Sequence, residues 1–419
     1  MVIRLGPGGM LAARPQPYHH PFATARRSIC GFNGSTCSPG MERHSYLTWQ
    51  PLEYPKAHGD APRHVMIDDW NDRTGGCMTI ALMVMAVLLW CWLLLSCLPA
   101  GAEAHMPMPY LIALIPLLWV PSLALAAISA CVHAWTPLVA FMLTAVASVA
   151  RLWPYWAPTH TRETVRETSS GAATEPRTAR SLRVMTVNCR YGRADAHAIV
   201  REVRQRHIDV LATQETTDDL VERLREAGLD SLLPHRQLGT SRPTDNGGYN
   251  ALFSRFEPSR SAANLIDIPA ADVPSMTVDL PTSADMQSTG NTRAYHVTLA
   301  SAHPKSPMRG CPEWSAGIRG LSAIADLAER EPNGIGVVMG DLNSSIEHPS
   351  FRSLLANGLH DASRTQATHA VVTFPSWLTW PHIELDHVLF TNGLRPSKVE
   401  SFRIDGTDHY ALTATLTLE

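Results

Sequence analysis

The positions of apolar residues divide the chain into regions of different texture. Residues 1–76 mix Pro, Gly, Ser, His and Arg without a sustained helical or strand period. Such a stretch buries too little apolar surface to offset the entropy of ordering, so a disordered tail is expected. Three apolar runs follow, at about 77–99, 110–131 and 136–153. The first, CMTIALMVMAVLLWCWLLLSCLP, is free of charge and reaches the ~20 residues that a spanning helix needs. The second carries Pro116 and Pro121, which kink a helix but are tolerated in membranes. The third is shorter and runs into Arg151, Trp153, Tyr155 and Trp156, residue types that suit the headgroup boundary. The pattern predicts about three transmembrane helices over 77–153.

Residues 154–180 are a Pro/Thr/Arg/Glu-rich linker without apolar periodicity. From residue 181 short strand-like runs alternate with amphipathic segments. Strands are predicted at 182–188, 208–214, 249–254, 295–301, 336–340, 384–389 and 411–418, and helices at 195–206, 218–227 and 314–330. One α/β domain over 181–419 accommodates all of them.

Composition sharpens this picture in two places. The eight cysteines include no CxxC and no Cys/His metal spacing, which argues against a zinc site; Cys77, Cys91, Cys97 and Cys131 read as small hydrophobes beside the apolar runs. Net charge is −3, and from residue 180 onward acidic side chains exceed basic ones by about five. A nucleic-acid footprint is usually basic, so this balance leans away from one.

The polar residues that interrupt this pattern carry the chemistry. Asn188, Glu215, His303, Asp341 with Asn343, Asp386, and Asp408 with His409 each fall at or just past the end of an apolar run. Strand ends project into loops at one rim of a sheet, where sites are built. Carboxylates and amides gathered there supply oxygen ligands for a hard cation, and Mg²⁺ fits best, with Mn²⁺ as the alternative. Each residue alone has a plainer reading: Asn188 as a turn residue, Glu215 as a solvent-facing carboxylate, Asp341–Leu342–Asn343 as an Asx turn. Their order is the signal.

The succession TVN (186–188), QE (214–215), SAHP (301–304), GDLN (340–343), LDHV (385–388) and TDH (407–409) resembles the endonuclease/exonuclease/phosphatase superfamily over essentially all of 181–419. The resemblance implies a four-layered α/β sandwich, two packed mixed sheets flanked by helices. It implies that Asn188 and Glu215 form the metal-site pair, with Asp408 ligating or supporting the metal. Asp341 and His409 then stand close to the attacking water, either being able to take its proton. Asp386 would hydrogen-bond His409, while Asn343 and His303 would donate to phosphoryl oxygens. Thr407 stands where the family more often has Ser. Lys305, Arg242, the Gly247–Gly248–Tyr249–Asn250 strand, Trp377 and Trp380 are weaker candidates near the cleft.

An anchor of about three helices ahead of such a domain is similar to actinobacterial membrane phosphatases related to teicoplanin-resistance proteins. That likeness implies a multi-pass cell-membrane protein with the catalytic domain outside, acting on a lipid-linked envelope substrate such as a polyprenyl pyrophosphate. The partners expected are the lipid bilayer and a phosphorylated substrate, lipid-linked or nucleic acid; no protein partner is predicted. A membrane-tethered DNA or RNA endonuclease and a non-catalytic membrane scaffold are the alternatives.

Overall fold

The computed structural model describes residues 63–156, 181–241, 247–281 and 294–419. The expected tail up to residue 62, the linker from residue 157 and Arg242 lie outside the described residues.

The N-terminal part is a helical bundle of α1 (Arg63–Leu94), α2 (Met108–Ala113), α3 (Trp119–Cys131) and α4 (Trp135–Ala150). α1 starts inside the stretch expected as tail. Among the described residues two stretches, Gly76–Cys97 and Trp135–Tyr155, are long and apolar enough to cross a membrane. The run expected as a continuous second span is broken instead into α2, a tight turn at Ile115–Leu117 and the 13-residue α3. Pro116 explains the break, since it lacks the N–H that would bond one turn back and its ring crowds that turn.

The bundle has an apolar core, with Leu82, Leu89, Leu93, Ile112, Ile115, Leu118 and Phe141 buried, yet small polar residues share that interior and many large apolar ones stand outside it. Ser96, Ser122, Ser129, Thr144 and Ser148 face inward, whereas Ile80, Val84, Leu88, Val139, Leu143 and Val146 are exposed. Ser148 Oγ donates across to the Ile115 carbonyl at 2.9 Å, and Ser129 and Thr144 donate back to their own helix. Small residues at these contacts let the helices approach closely.

The strands of the second part are β1 (Ser181–Asn188), β2 (Val210–Thr216), β3 (His235–Leu238), β4 (Tyr249–Ser254), β5 (Arg260–Ala262), β6 (Ser275–Pro281), β7 (Ala294–Ser301), β8 (Gly334–Asp341), β9 (His360–Asp361), β10 (Asp386–Phe390), β11 (Leu394–Arg403) and β12 (Tyr410–Leu418). They form two mixed six-stranded sheets, β11-β12-β1-β2-β4-β3 and β5-β6-β7-β8-β10-β9. The sheets face one another through Val184, Ala212, Leu252, Val278, Val297, Val337, Val388 and Leu412. α5 (Ala196–Gln205) and α6 (Asp218–Glu226) cover the first sheet, while α7 (Cys311–Gly320), α8 (Ala323–Arg330) and α9 (Pro349–Ala356) cover the second. α10 (Ala362–Gln366) lies beside β11. This is the four-layered sandwich expected.

Local sequence accounts for the helix starts. Asp195 caps α5 by accepting from Ala198 N, and Thr217 caps α6 by accepting from Leu220 N, each at 3.2 Å. The single helix expected over 314–330 is two, α7 and α8, parted just after Gly320.

Bundle and sandwich meet at one end of the helices. Glu103 accepts from Ser350 N at 2.5 Å, His348 Nε2 reaches the Pro109 carbonyl at 2.9 Å, and Arg151 pairs with Glu347 at 2.7 Å. Tyr155 donates to Glu384 at 2.5 Å, and Arg352 donates to the Ser96 carbonyl.

Candidate functional site

Topology gathers the predicted residues. β1 and β2 run parallel, as do β7 and β8, so Asn188, Glu215, His303 and Asp341 all sit at or beyond C-terminal strand ends. β10 is antiparallel to β8 with Asp386 opposite Asp341, and β12 is antiparallel to β1. Their N-terminal ends therefore reach the same rim, carrying Asp386 and the Asp408–His409 pair. Two sheets facing each other then close six strand ends around one point.

Two backbone features aim the side chains. Glu215 has a left-handed φ of 52° where the register between β2 and β4 slips, a bulge that turns its carboxylate out of the ladder. Gly248 lies against it; a Cβ there would stand 2.3 Å from the Thr216 carbonyl oxygen. At the other sheet a Cβ on Gly340 would stand 1.9 Å from the Ala302 carbonyl oxygen, so only glycine lets β8 deliver Asp341 so close to the His303 segment.

Asp341 is the centre. Its Oδ2 accepts from Asn188 Nδ2 at 2.9 Å and lies 3.4 Å from His303 Nε2 and 3.5 Å from His409 Nε2. Its Oδ1 accepts from Asn343 N at 2.8 Å. The Asx turn is thus present, and the same carboxylate also faces the site. Asn188 Nδ2 reaches Glu215 Oε1 at 3.3 Å, and Tyr191 N donates to Glu215 Oε2 at 3.0 Å. His409 Nδ1 bonds Asp386 Oδ2 at 2.7 Å. Asn343 Nδ2 donates to the Pro304 carbonyl at 3.2 Å. Asp408 stands further out, 3.4 Å from Arg190 Nε.

Burial opposes charging at every one of these groups, and the neighbours decide the outcome. Asp341 is held well below the usual carboxylate range because His409, His303 and Asn188 outweigh burial. For His409, burial is outweighed by Asp386 and Asp341, which raise it to about 10. Its partner Asp386 is pushed up by burial, against the opposing pull of His409. Glu215 is also pushed up: burial and the Asp341 charge exceed what His303, Asn188 and Tyr191 N return.

That shortfall at Glu215 is the observation that fits a cation. Two carboxylates, Glu215 and Asp341, share one amide between them, and the side-chain oxygens of Glu215, Asn188 and Asp341 converge there. A hard divalent cation is suited to such oxygens. Asp341, Asp386 and His409 also bring ligand-type atoms within 4.8 Å of one another. The short His409–Asp386 bond commits those atoms to each other, with Asp341 facing the other ring nitrogen as an ion pair at 3.5 Å.

Sequence reasoning missed a second buried cluster beside the first. Glu384 and His387, which flank Asp386 along the chain, gather with Asp361 of the neighbouring β9. His387 Nδ1 bonds Asp361 at 2.8 Å and its Nε2 bonds the Ser344 carbonyl at 2.8 Å. Both nitrogens face acceptors, so the ring is itself the cation; against burial, Asp361 and Glu384 raise it to about 9. The signal available was His387 inside LDHV, where attention went to its neighbour. Phe374, whose ring centroid is 4.9 Å from that of His409, was also missed.

The family model described as Endonuclease/Exonuclease/phosphatase family matches residues 185–409. Solved structures with a similar course include truncated TDP2 from Caenorhabditis elegans, at 17% identity over 57% of this chain and 98% of that one, with a TM-score of 0.43. An endonuclease/exonuclease/phosphatase family protein from Leptotrichia buccalis is 16% identical over 57% and 99%, with a TM-score of 0.40. Sphingomyelinase C from Streptomyces griseocarneus is 18% identical over 56% and 99%, with a TM-score of 0.41. No curated protein matches the chain. With more than half its length matched by the family model, and with the order of site residues described above, the chain belongs to the endonuclease/exonuclease/phosphatase family of divalent-metal-dependent phosphoester hydrolases.

Proposed function

We propose that this chain is a membrane-anchored, Mg²⁺-dependent hydrolase of lipid-linked phosphoesters or pyrophosphates, with its catalytic domain on the outer side of the cell membrane. The observation that carries the catalytic reading is Asp341, whose carboxylate touches Asn188, His303 and His409 from both sheets at one point. The exposed apolar face of the bundle supports the anchor, with the domain boundaries expected from the sequence: tail to 76, membrane region 77–153, linker 154–180, catalytic domain 181–419.

In this reading Glu215 and Asn188 hold the cation, with Asp408 supporting from beside Arg190. A cation held there would supply positive charge against the phosphoryl oxygens. Asp341 and His409 flank the attacking water; with His409 held protonated up to about 10, the ionised Asp341 carboxylate is the group open to accept the water's proton, and Asp386 fixes the His409 ring through Nδ1. His303 and the Asn343 amide donate to phosphoryl oxygens. Phosphoryl transfer requires mainly positioning and charge stabilisation, which rigid strand ends supply.

The test uses full-length protein in detergent with Mg²⁺, assayed for phosphate release from polyprenyl pyrophosphate beside cleavage of plasmid DNA. Lipid turnover that is lost in Asp341→Ala and His409→Ala supports the proposal. DNA cleavage without lipid turnover overturns it in favour of a tethered nuclease.

A further inference from the structure

Between α10 and β10 the chain forms a hairpin over 373–383, closed by reciprocal backbone bonds between Phe374 and Ile383 at 3.0 and 2.7 Å. Its sequence, TFPSWLTWPHI, has no Lys, Arg, Asp or Glu, and no Lys or Arg occurs anywhere from 365 to 394. The turn leaves Trp377 59%, Leu378 41% and Trp380 55% exposed. Among the described residues of the sandwich, the other large apolar side chains this exposed are Tyr191, Met308 and Leu327, scattered singly. A single exposed apolar residue needs no explanation; three on one turn mark a contact surface.

The neighbours on either side say what that surface meets. Trp380 sits edge-on to Trp119 at the start of α3, with ring centroids 6.4 Å apart. The hairpin therefore abuts the bundle at the end where Trp153 and Trp156 are exposed. On its other side Trp377 packs 5.3 Å from Phe374, and Phe374 packs 4.9 Å from His409. Ser376 N and Oγ bond the Asp408 and Thr407 carbonyls, each at 2.8 Å. Thr373 Oγ1 accepts from Leu385 N and Asp386 N, each at 3.0 Å. One short element thus joins the apolar bundle to both halves of the His409–Asp386 pair.

We infer that the 373–383 hairpin docks into the headgroup layer of the bilayer that the bundle crosses, and so presents the site to phosphoesters embedded in that bilayer. The inference rests on the membrane-anchored reading above and deepens it by assigning the residues that select a lipid-borne substrate. The occupant is a lipid surface: the turn adjoins the bundle through Trp380 and Trp119, and its two exposed tryptophans are the residue type enriched at the membrane boundary. A nucleic-acid contact would call for basic side chains to meet phosphates, and this segment has none.

The test takes the full chain reconstituted in vesicles of phosphatidylethanolamine and phosphatidylglycerol. Turnover of vesicle-embedded polyprenyl pyrophosphate is compared with that of water-soluble bis(p-nitrophenyl) phosphate. In the double variant Trp377→Ser, Leu378→Ser the ratio of embedded to soluble turnover is expected to fall about tenfold or more, as an interfacial anchor is lost. An unchanged ratio overturns the inference. A second readout needs no turnover: benzoylphenylalanine in place of Leu378 is irradiated and its adducts are identified by mass. Lipid adducts support the docking element; adducts to protein alone, or to added single-stranded DNA in place of lipid, overturn it. If neither ester is hydrolysed, the catalytic reading fails while the cross-link still decides the hairpin.

Discussion

Glu384 lies between the bundle and the catalytic pair, and its proton can be located from its hydrogen bonds together with the charge state of Asp361. Tyr155 donates to its Oε2 at 2.5 Å. Ser363 Oγ lies 2.6 Å from its Oε1 and 2.7 Å from Asp361 Oδ1. Ser363 has a single proton to give. Asp361 is held below its ordinary range, because His387 outweighs burial, and so it is the acceptor. The short contact to Glu384 is then a hydrogen bond only if Glu384 carries its own proton. Burial and the Asp361 charge accordingly push Glu384 up from 4.5 to about 7. A raised folded-state value means the folded protein keeps a proton that the unfolded chain has released. The stabilisation is complete below pH 4.5 and is lost as pH rises through about 7. At about 1.4 kcal/mol per pH unit, the loss amounts to about 3 kcal/mol. Glu384→Gln keeps the shape, supplies an amide donor to Ser363 in place of the acid proton, and cannot ionise. Wild type and variant should melt together near pH 5 and diverge toward pH 8, the variant becoming the more stable. For a domain of this size about 2–4 °C per kcal/mol is expected, hence a difference approaching ~10 °C. Thermal unfolding of the full chain in detergent micelles, followed from pH 5 to 8, reads it directly. An offset independent of pH, or a variant that is the less stable at pH 8, would refute the proton assignment.

Other expectations concern the site. Glu215→Gln should raise the Mg²⁺ concentration needed for half-maximal activity by about tenfold or more, because the amide removes the charge that the cation offsets; titration of activity and of bound metal checks it. Thr373→Val should cost about 2–3 kcal/mol of stability in denaturant titration, since the buried Leu385 and Asp386 N–H groups both lose their acceptor. Gly248→Ala should lower turnover more than stability, because its Cβ drives against the Glu215–Thr216 peptide that aims the carboxylate; a stability cost of about 1–3 kcal/mol with unchanged turnover would contradict this.

Much of the catalytic half was legible in the chain itself. The central strands β1, β2, β7, β8 and β12 stand where short apolar-rich runs were read, since largely buried strands keep a high share of Val, Leu, Met and Ala. Five of the described strands escaped notice: the edge strands β3, β5, β9 and β11, of which β5 has three residues, β9 has two and β11 carries Pro396 and Lys398, and the inner strand β6, whose apolar run is broken by Ser275, Thr277 and Asp279. Edge strands need little apolar surface and so leave little trace. The second apolar run was recognised but not its break at Pro116, because a proline kink and a proline break read alike in sequence.

What the sequence determined by itself is therefore the local part: the apolar segments, the central strands, and the order of polar residues at their ends, all set by short-range burial patterns and chain direction. Only the tertiary structure decided that Asp341 from one sheet meets Asn188 and His409 from the other, since that follows from how two sheets pack, which no local pattern encodes. The same holds for the Tyr155–Glu384 bond, which joins residues 229 apart in sequence. The hairpin at 373–383 is a third case: its tryptophans were visible, but their place between an apolar bundle and His409 depends on contacts made across the whole fold.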